Sequence, residues 1–322
     1  MTWRRIVNQI KDPIPLEDRI EFSPPSEMGL RGCSFFAFNT VILIEATGVD
    51  DSSLLALRDR CREFERLFSR TLPHSDITRI NEAHGEPVKV APETFELLQA
   101  ALGYCAESRG LFDITIGSAS RLWNFHEGTA PDAKVLEKAI RHVDWRCIEL
   151  IRQGQESIVR MGDPQASLDV GGIAKGYIAD ALAAMLDGAG SPSFLINLGG
   201  NVYARGRKPD GSRWTIGLQD PRGRGLLAGA VEIEDASAVT SGVYERCFVQ
   251  GDTLYHHILH PRTGQPVATD IAGVTVVCRR SIDAEGYSTT LLALGRKRAR
   301  IFATAHPEIE QLHLVDLAGN LV

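Results

Sequence analysis

The chain is poor in several features that would announce a function class. No apolar run approaches the ~18 residues needed to cross a bilayer, so no membrane span is expected. The six cysteines, at 33, 61, 105, 147, 247 and 278, form no Cys-x-x-Cys pair. That removes the usual signature of a structural zinc or a redox dithiol. Cys61 and Cys105 fall on apolar helical faces and read as buried thiols, a usage that fits a reducing compartment. Basic excess is lacking too. The formal net charge is −6 over 322 residues, which argues against a general nucleic-acid binder. The one dense basic group, Arg296, Lys297, Arg298 and Arg300, reads as the solvated end of a helix. After Met1-Thr2-Trp3-Arg4-Arg5, the polar residues Asn8, Gln9, Lys11 and Asp12 interrupt any apolar core, so no secretory signal is expected and the expected location is the cytoplasm.

What remains is an ordinary globular composition, 43% hydrophobic and 24% charged, enough for one large domain or two moderate ones. Residues 1–33, rich in proline, charge and serine, read as an N-terminal arm. The run 35–44, FFAFNTVILI, reads as one strand broken at Asn39-Thr40, either by a bulge or by a ligand contact. Ser52-Ser53 caps a helix with apolar positions 54, 57, 61, 64 and 68. A short helix is predicted over 75–81 and an amphipathic one over 92–108, closed by Gly110. Residues 112–118 alternate like a strand. Hairpins are predicted for 147–161 and 244–259, strands for 214–218, 227–233, 274–278 and 311–315, and a helix for 282–294 closed by Gly295. Helices dominate before residue 145 and strands after residue 190, a segregation that indicates an α+β fold. The expected arrangement over 34–322 is a single domain of two intimately packed, interleaved α+β subdomains with mixed sheets.

The stretch the chain is organised around is 167–180, SLDVGGIAKGYIAD, read with the turn NLGGN at 197–201. An apolar run enters a Gly171-Gly172 turn and then an alanine-rich helix with Ile178, Leu182, Met185 and Leu186 on one face. A helix that starts just after two glycines presents free amides and a positive dipole end, which suits phosphate. Lys175 adds a full charge in the first turn, and Asp169 and Asp180 flank it. The spacing matches neither a Walker loop nor a dinucleotide fingerprint, so a plain strand-to-helix turn stays open beside an anion site.

Taken together with SDITRIN at 75–81, GLFDITIGS at 110–118, LWNF downstream, WTIGLQDP ending at 221, VTSGVYER at 239–246, HHILHPRTGQP at 256–266 and SIDAEGYSTTLLALG at 281–295, these segments resemble the ApbE family of flavin transferases. The resemblance implies FAD in a cleft between the subdomains, a divalent ion, usually Mg²⁺, at its pyrophosphate, and transfer of FMN to a Thr or Ser hydroxyl with release of AMP. It also implies an acceptor flavoprotein with a motif like Asp-x-x-x-Ser/Thr-Gly-Ala-Thr. By the same resemblance the metal ligands are the carbonyl of Ala174 and the side chains of Glu285 and Thr289. Relatives carry Asp where this chain has Glu285, and the longer side chain leaves Mn²⁺ or Ca²⁺ open as alternatives. Glu285 and Thr289 stand at i, i+4, so on a helix both oxygens can address one ion.

His257 matches the histidine of a His-Ile-x-Asp-Pro motif and is the candidate base, although His260 replaces the aspartate. Catalysis is thus assigned to His257, Asp169 and Lys175. Cofactor contacts are expected from Gly172, Lys175, His257, Asp180 toward the adenosine, Gly199 and Gly200 at the pyrophosphate, and Thr240, Ser241 and Gly242 in a small-residue turn. Asp113 and Thr115 read either as cleft wall or as structural hydrogen-bonders. Phe38 stands where relatives often carry methionine against the isoalloxazine, and a core phenylalanine is the other reading. Two further activities stay open: a metal-dependent FAD pyrophosphatase giving FMN and AMP, and a flavin-binding protein without turnover.

Overall fold

Phe38 and Asn39 both adopt left-handed backbone, with φ of 53° and 58°, and this pair closes the first hairpin of the fold. Two successive positive φ values define the tight turn that suits the strand twist. The apolar run expected as one strand is therefore two: β2 (Leu30–Ala37) and β3 (Thr40–Thr47), paired antiparallel with Ala37 opposite Thr40. Cys33, Phe35 and Ala37 face the core from β2, and Ile42, Ile44 and Ala46 from β3.

The computed structural model of the chain describes residues 19–26, 29–223 and 225–322. Of the arm expected over 1–33, positions 1–18 lie outside the described residues. Positions 20–23 form β1 (Ile20–Ser23), which pairs with β2, so this part of the expected arm belongs to the main sheet. That sheet has eight strands in the order β1-β2-β3-β7-β8-β11-β14-β15, with β7 (Phe194–Asn197), β8 (Asn201–Arg205), β11 (Ala236–Gly242), β14 (Ile271–Cys278) and β15 (Gln311–Asp316). Strands from both ends of the chain thus share one sheet. Every pairing between these strands is antiparallel, not mixed as expected.

One face of the sheet is covered by helices and the other, in part, by a β-hairpin. β14 is buried at all eight positions, which a strand covered on both faces requires. On the helical side α1 (Asp51–Phe68) buries Leu54, Leu57, Cys61, Phe64 and Phe68, the five positions of the predicted period, with Asp50 as its cap. α2 (Asp76–Glu82) and α3 (Pro92–Glu107) follow, as expected. β4 (Val88–Val90) pairs with the second strand of the hairpin β5 (Ile148–Gln153) and β6 (Glu156–Met161). On the opposite face β9 (Trp214–Gln219) and β10 (Leu227–Ile233) pack Trp214, Leu218, Val231 and Ile233 onto Ala204, Ala236, Ala238 and Val277.

Three local expectations change. Residues 112–118 turn instead of extending, because Asp113 Oδ1 accepts both the amide and the hydroxyl of Thr115 while Oδ2 accepts the Trp145 amide. A short helix, α4 (Gly117–Ser120), follows, and α5 (Ala133–Ala139) lies beyond it. Thr240, Ser241 and Gly242 end strand β11 opposite Thr275, Val274 and Gly273 and are not a turn. Gly295, at φ 71°, closes the predicted helical segment, but a second, unexpected segment follows directly; the two together are α7 (Ser281–Thr304), and Asp270 Oδ1 accepts the Arg296 amide just past the break. Among the described residues no helix is long and apolar enough to cross a membrane.

The contact that places the site is between α6 (Ala174–Gly188) and α7. A Cβ on Gly176 would lie 2.7 Å from Ile282 Cα and 2.8 Å from Glu285 Cβ, so only glycine lets the helices meet here. Gly176→Ala should therefore destabilise the protein by roughly 1–3 kcal/mol in denaturant unfolding, the usual cost of overpacking. Gly188→Ala, with nothing within 4 Å of the added carbon, should stay near neutral. Equal effects would contradict the tight crossing.

Candidate active site

The loop leading into α6 is clamped before it reaches the glycines. Asn81, near the end of α2, accepts the Leu168 amide at 2.6 Å and donates to its carbonyl at 3.1 Å. Asp169 then ties three segments together. Its Oδ1 accepts the Gly171 amide, its Oδ2 accepts Ser120 Oγ at 2.9 Å, and Arg70 Nε stands 3.4 Å away. Val170 carbonyl takes the amides of both Ile173 and Ala174, whereas those of Lys175 and Gly176 have no backbone acceptor among the described residues. The start of α6 thus keeps amides free beside the Lys175 ammonium, as an anion site requires.

The first turns of α7 supply the opposing charge. Lys175 Nζ lies 3.6 Å from Glu285 Oε1, and Glu285 Oε2 accepts a 2.6 Å hydrogen bond from Asn201 Nδ2. One turn on, Thr289 lines the same cleft, and its hydroxyl has no hydrogen-bond partner among the described residues. Thr240 and Ser241 form the adjoining wall. Their hydroxyls bond Thr275 Oγ1 and Ser288 Oγ at 2.7 and 2.8 Å.

His257 lines the same cleft, with the Ser120, Trp123, Phe125, Glu245 and Arg246 side chains. His257 Nδ1 is buried without a partner. Burial first, then the charges of Arg246, His256 and Lys175, push its imidazole down to about 4. The ring is therefore neutral across the physiological range. Glu245 is ringed by protein yet open to the cleft. Burial and the neighbouring Glu285 carboxylate raise its carboxyl, while Lys175 and Arg246 oppose the rise. The other two imidazoles are structural: His256 Nε2 bonds the Val267 carbonyl, and His260 Nδ1 accepts the Arg262 amide in a turn.

The structure brings together Asp169, Gly172, Lys175, Thr240, Ser241, His257, Glu285 and Thr289. Other expected residues lie off the cleft lining. Phe38 sits in the β2–β3 turn, its amide donating to Glu65 Oε1. Asp180 is spent on capping α7, accepting the Ser281 and Ile282 amides at 2.7 and 3.0 Å, and burial pushes its carboxyl up to about 6. The Gly199 and Gly200 amides both point to Asn197 Oδ1, and the left-handed Gly199 lies against Thr40, so this pair shapes a hairpin turn. Gly242 pairs within β11. Ala174 is the first helical residue, and a carbonyl there runs along the helix axis. Asp113 is on the wall and Thr115 is buried behind it; both are engaged in the turn already described.

Sequence reasoning passed over Glu245, Arg246, Arg70, Ser120, Trp123 and Phe125. The only signal available was that VTSGVYER and LWNF end on four of them. A larger groove of about 620 Å³ lies elsewhere, but its charges pair with one another: Arg205 with Asp235, Arg213 with Glu234, Arg279 with Glu310.

Oxygen donors at Glu285 and Thr289, one turn apart on one helix, fit a hard divalent cation. Among the described residues no group of three or more His, Cys, Asp or Glu is arranged to hold a metal, so the protein offers few ligands and phosphate oxygens would have to complete the set.

This arrangement coincides with a known family. The sequence profile of the ApbE family matches residues 38–313. The chain belongs to the ApbE family. It is 33% identical over 265 residues to the FAD:protein FMN transferase of Treponema pallidum (strain Nichols), covering 78% of this chain and 73% of that one. It is 34% identical over 258 residues to a FAD:protein FMN transferase of Klebsiella pneumoniae (strain 342), covering 79% of each. In fold it is similar to the ApbE protein of Thermotoga maritima, at 27% identity and a TM-score of 0.83 over 91% of this chain and 96% of that one. The apo flavinyl transferase ApbE of Pseudomonas stutzeri shares the fold at a TM-score of 0.79 and 24% identity, over 91% of this chain and 94% of that one.

The depressed His257 imidazole has a consequence for stability within this ApbE fold. A histidine titrating near 6.5 when unfolded and near 4 when folded contributes stability that is present above 6.5 and lost as pH falls toward 4. In His257→Gln, stability measured by chemical denaturation should fall less steeply across that acid window than in the wild type. Identical slopes would show that the ring is not held neutral.

Proposed function

We propose that this protein transfers FMN from FAD to a Thr or Ser hydroxyl of an acceptor flavoprotein, releasing AMP, with a divalent cation at the diphosphate. The observation that carries the reading is one cleft lined by the free start of α6, Lys175, Glu285, Thr289 and a neutral His257. The curated relatives named as FAD:protein FMN transferases supply the reaction class.

On this reading the amides of Lys175 and Gly176, with the Lys175 ammonium, receive the diphosphate. Glu285 and Thr289 hold the cation, magnesium in the first place. When bound, it neutralises diphosphate charge as a Lewis acid. Arg70 fastens Asp169, and Asp169 fastens the loop, so the glycine turn is rigid when the dinucleotide arrives. The acceptor hydroxyl oxygen bonds to the FMN-side phosphorus while that phosphorus loses the bridging oxygen, which departs on AMP. The hydroxyl proton passes to the neutral ring of His257, which lines the cleft. The acceptor segment is expected to carry a sequence like Asp-x-x-x-Ser/Thr-Gly-Ala-Thr.

The test is incubation with FAD, Mg²⁺ and an acceptor domain carrying such a sequence, read by mass and by in-gel flavin fluorescence. Covalent FMN with AMP in equal amount supports the transferase. AMP without adduct points instead to a pyrophosphatase, and unchanged bound FAD to a protein that only binds flavin. Lys175→Ala should raise KM for FAD roughly 10–100-fold, the scale of one lost hydrogen bond to a charged group. Glu285→Asp should keep magnesium-dependent activity; its abolition would remove the carboxylate from the proposed role.

A further inference from the structure

Behind the cleft lies a polar relay that is wholly sealed from water. Asn201, at the start of β8, is 0% exposed, as are Ser237 of β11 and Ser281 of α7, and Glu285 is 5% exposed. Ser237 Oγ stands 2.9 Å from Ser281 Oγ, Ser281 Oγ donates to Asn201 Oδ1 at 2.9 Å, and Asn201 Nδ2 donates to Glu285 Oε2 at 2.6 Å. The direction is forced from one end. An ionised carboxylate only accepts, so the amide nitrogen of Asn201 must face it and the amide oxygen must face the serine. A buried, fully satisfied chain of this kind holds its last member in place. Among the described residues the other carboxylate oxygen, Oε1, has no hydrogen bond, and its nearest charge partner is the Lys175 ammonium at 3.6 Å.

We propose that Asn201 is a positioning residue that reserves one oxygen of Glu285 and leaves the other as a single-point cation ligand, so that the cleft favours a small six-coordinate cation over calcium. The inference rests on the cation reading of the proposed function. Calcium takes six to eight oxygens and commonly grips a carboxylate with both of its oxygens, whereas magnesium demands a near-ideal octahedron and takes one. A free Glu285 could offer both. Tethered by Asn201, it offers Oε1 alone. The relay also answers the longer side chain: the reach that Glu has over Asp is taken up by a bond on the side away from the cleft. The calcium left open by the glutamate is therefore disfavoured by its partner.

The measurement is calorimetric titration of Mg²⁺ and of Ca²⁺ into the full chain with FAD present and no acceptor. The wild type should bind Mg²⁺ more tightly. Asn201→Ala should weaken Mg²⁺ by roughly 10–100-fold, as losing a partner behind a metal ligand does, and weaken Ca²⁺ much less. Ser281→Ala, a smaller cut that leaves Asn201 in place, should move the ratio the same way by less, and it carries the test if Asn201→Ala does not melt cooperatively. In a Glu285→Asp background, where the carboxylate is drawn back from the relay, the second substitution should add little. Mg²⁺ and Ca²⁺ affinities falling in step, or a Mg²⁺ affinity unchanged in a folded variant, would overturn the positioning role. A wild type that binds FAD but no cation would overturn it together with the cation reading, and one that binds no FAD would overturn the proposed function itself.

Discussion

The crossing of α6 and α7 sets the geometry of everything near the cleft. Gly176 removes the side chain that would hold the helices apart, and Asp180, one turn further along α6, turns the approach into a bond by accepting the first two amides of α7. A carboxylate buried at a helix start is costly in desolvation and favoured by the helix dipole. Here desolvation wins, because the carboxyl is raised to about 6 even with two amides donating to it. The arrangement persists because the α7 amides would otherwise be buried without partners. From that anchor, Glu285 is carried to the Lys175 ammonium, and Thr289 one turn on.

The two sides of the cleft belong to different packing units. Lys175, Glu285 and Thr289 stand on helices rooted in the main core. Trp123 and Phe125, by contrast, pack with Phe248, Tyr255 and Leu259 in a small aromatic cluster of its own, whose ring pairs lie 5.2–5.9 Å apart. His257 follows directly on the strand that carries Tyr255. The division places the anion-receiving groups on rigid elements.

How much of this was legible in the sequence depends on the range of the interaction. Periodicity within one element was enough for α1, whose five predicted apolar positions are the five buried ones. It failed at 35–44 and 112–118 for a shared reason. There the turn is made by features that leave no glycine or proline mark: two left-handed residues at Phe38 and Asn39, and a side chain, Asp113, bonding its own backbone. Family likeness located the cleft segments but not the use of each residue. The resemblance directed Asp180 toward the adenosine and the Gly199-Gly200 pair toward the pyrophosphate; the structure uses the first as a cap and the second to turn a hairpin. The bond that makes Asp180 a cap joins it to Ser281, and the bond that holds Glu285 joins it to Asn201, across 101 and 84 positions, and nothing in a single sequence marks such pairs.

His257 links the electrostatics of the cleft to the chemistry proposed for it. A ring held near 4 is a poor proton acceptor in isolation, which would appear to disqualify it. Yet two of the four influences that lower it, after burial and beside His256, are the positive charges of Arg246 and Lys175. A diphosphate received at Lys175 offsets those charges and adds negative charge nearby, and each change favours the protonated imidazole. On the proposed reading, arrival of FAD is what makes the ring basic enough to serve the hydroxyl.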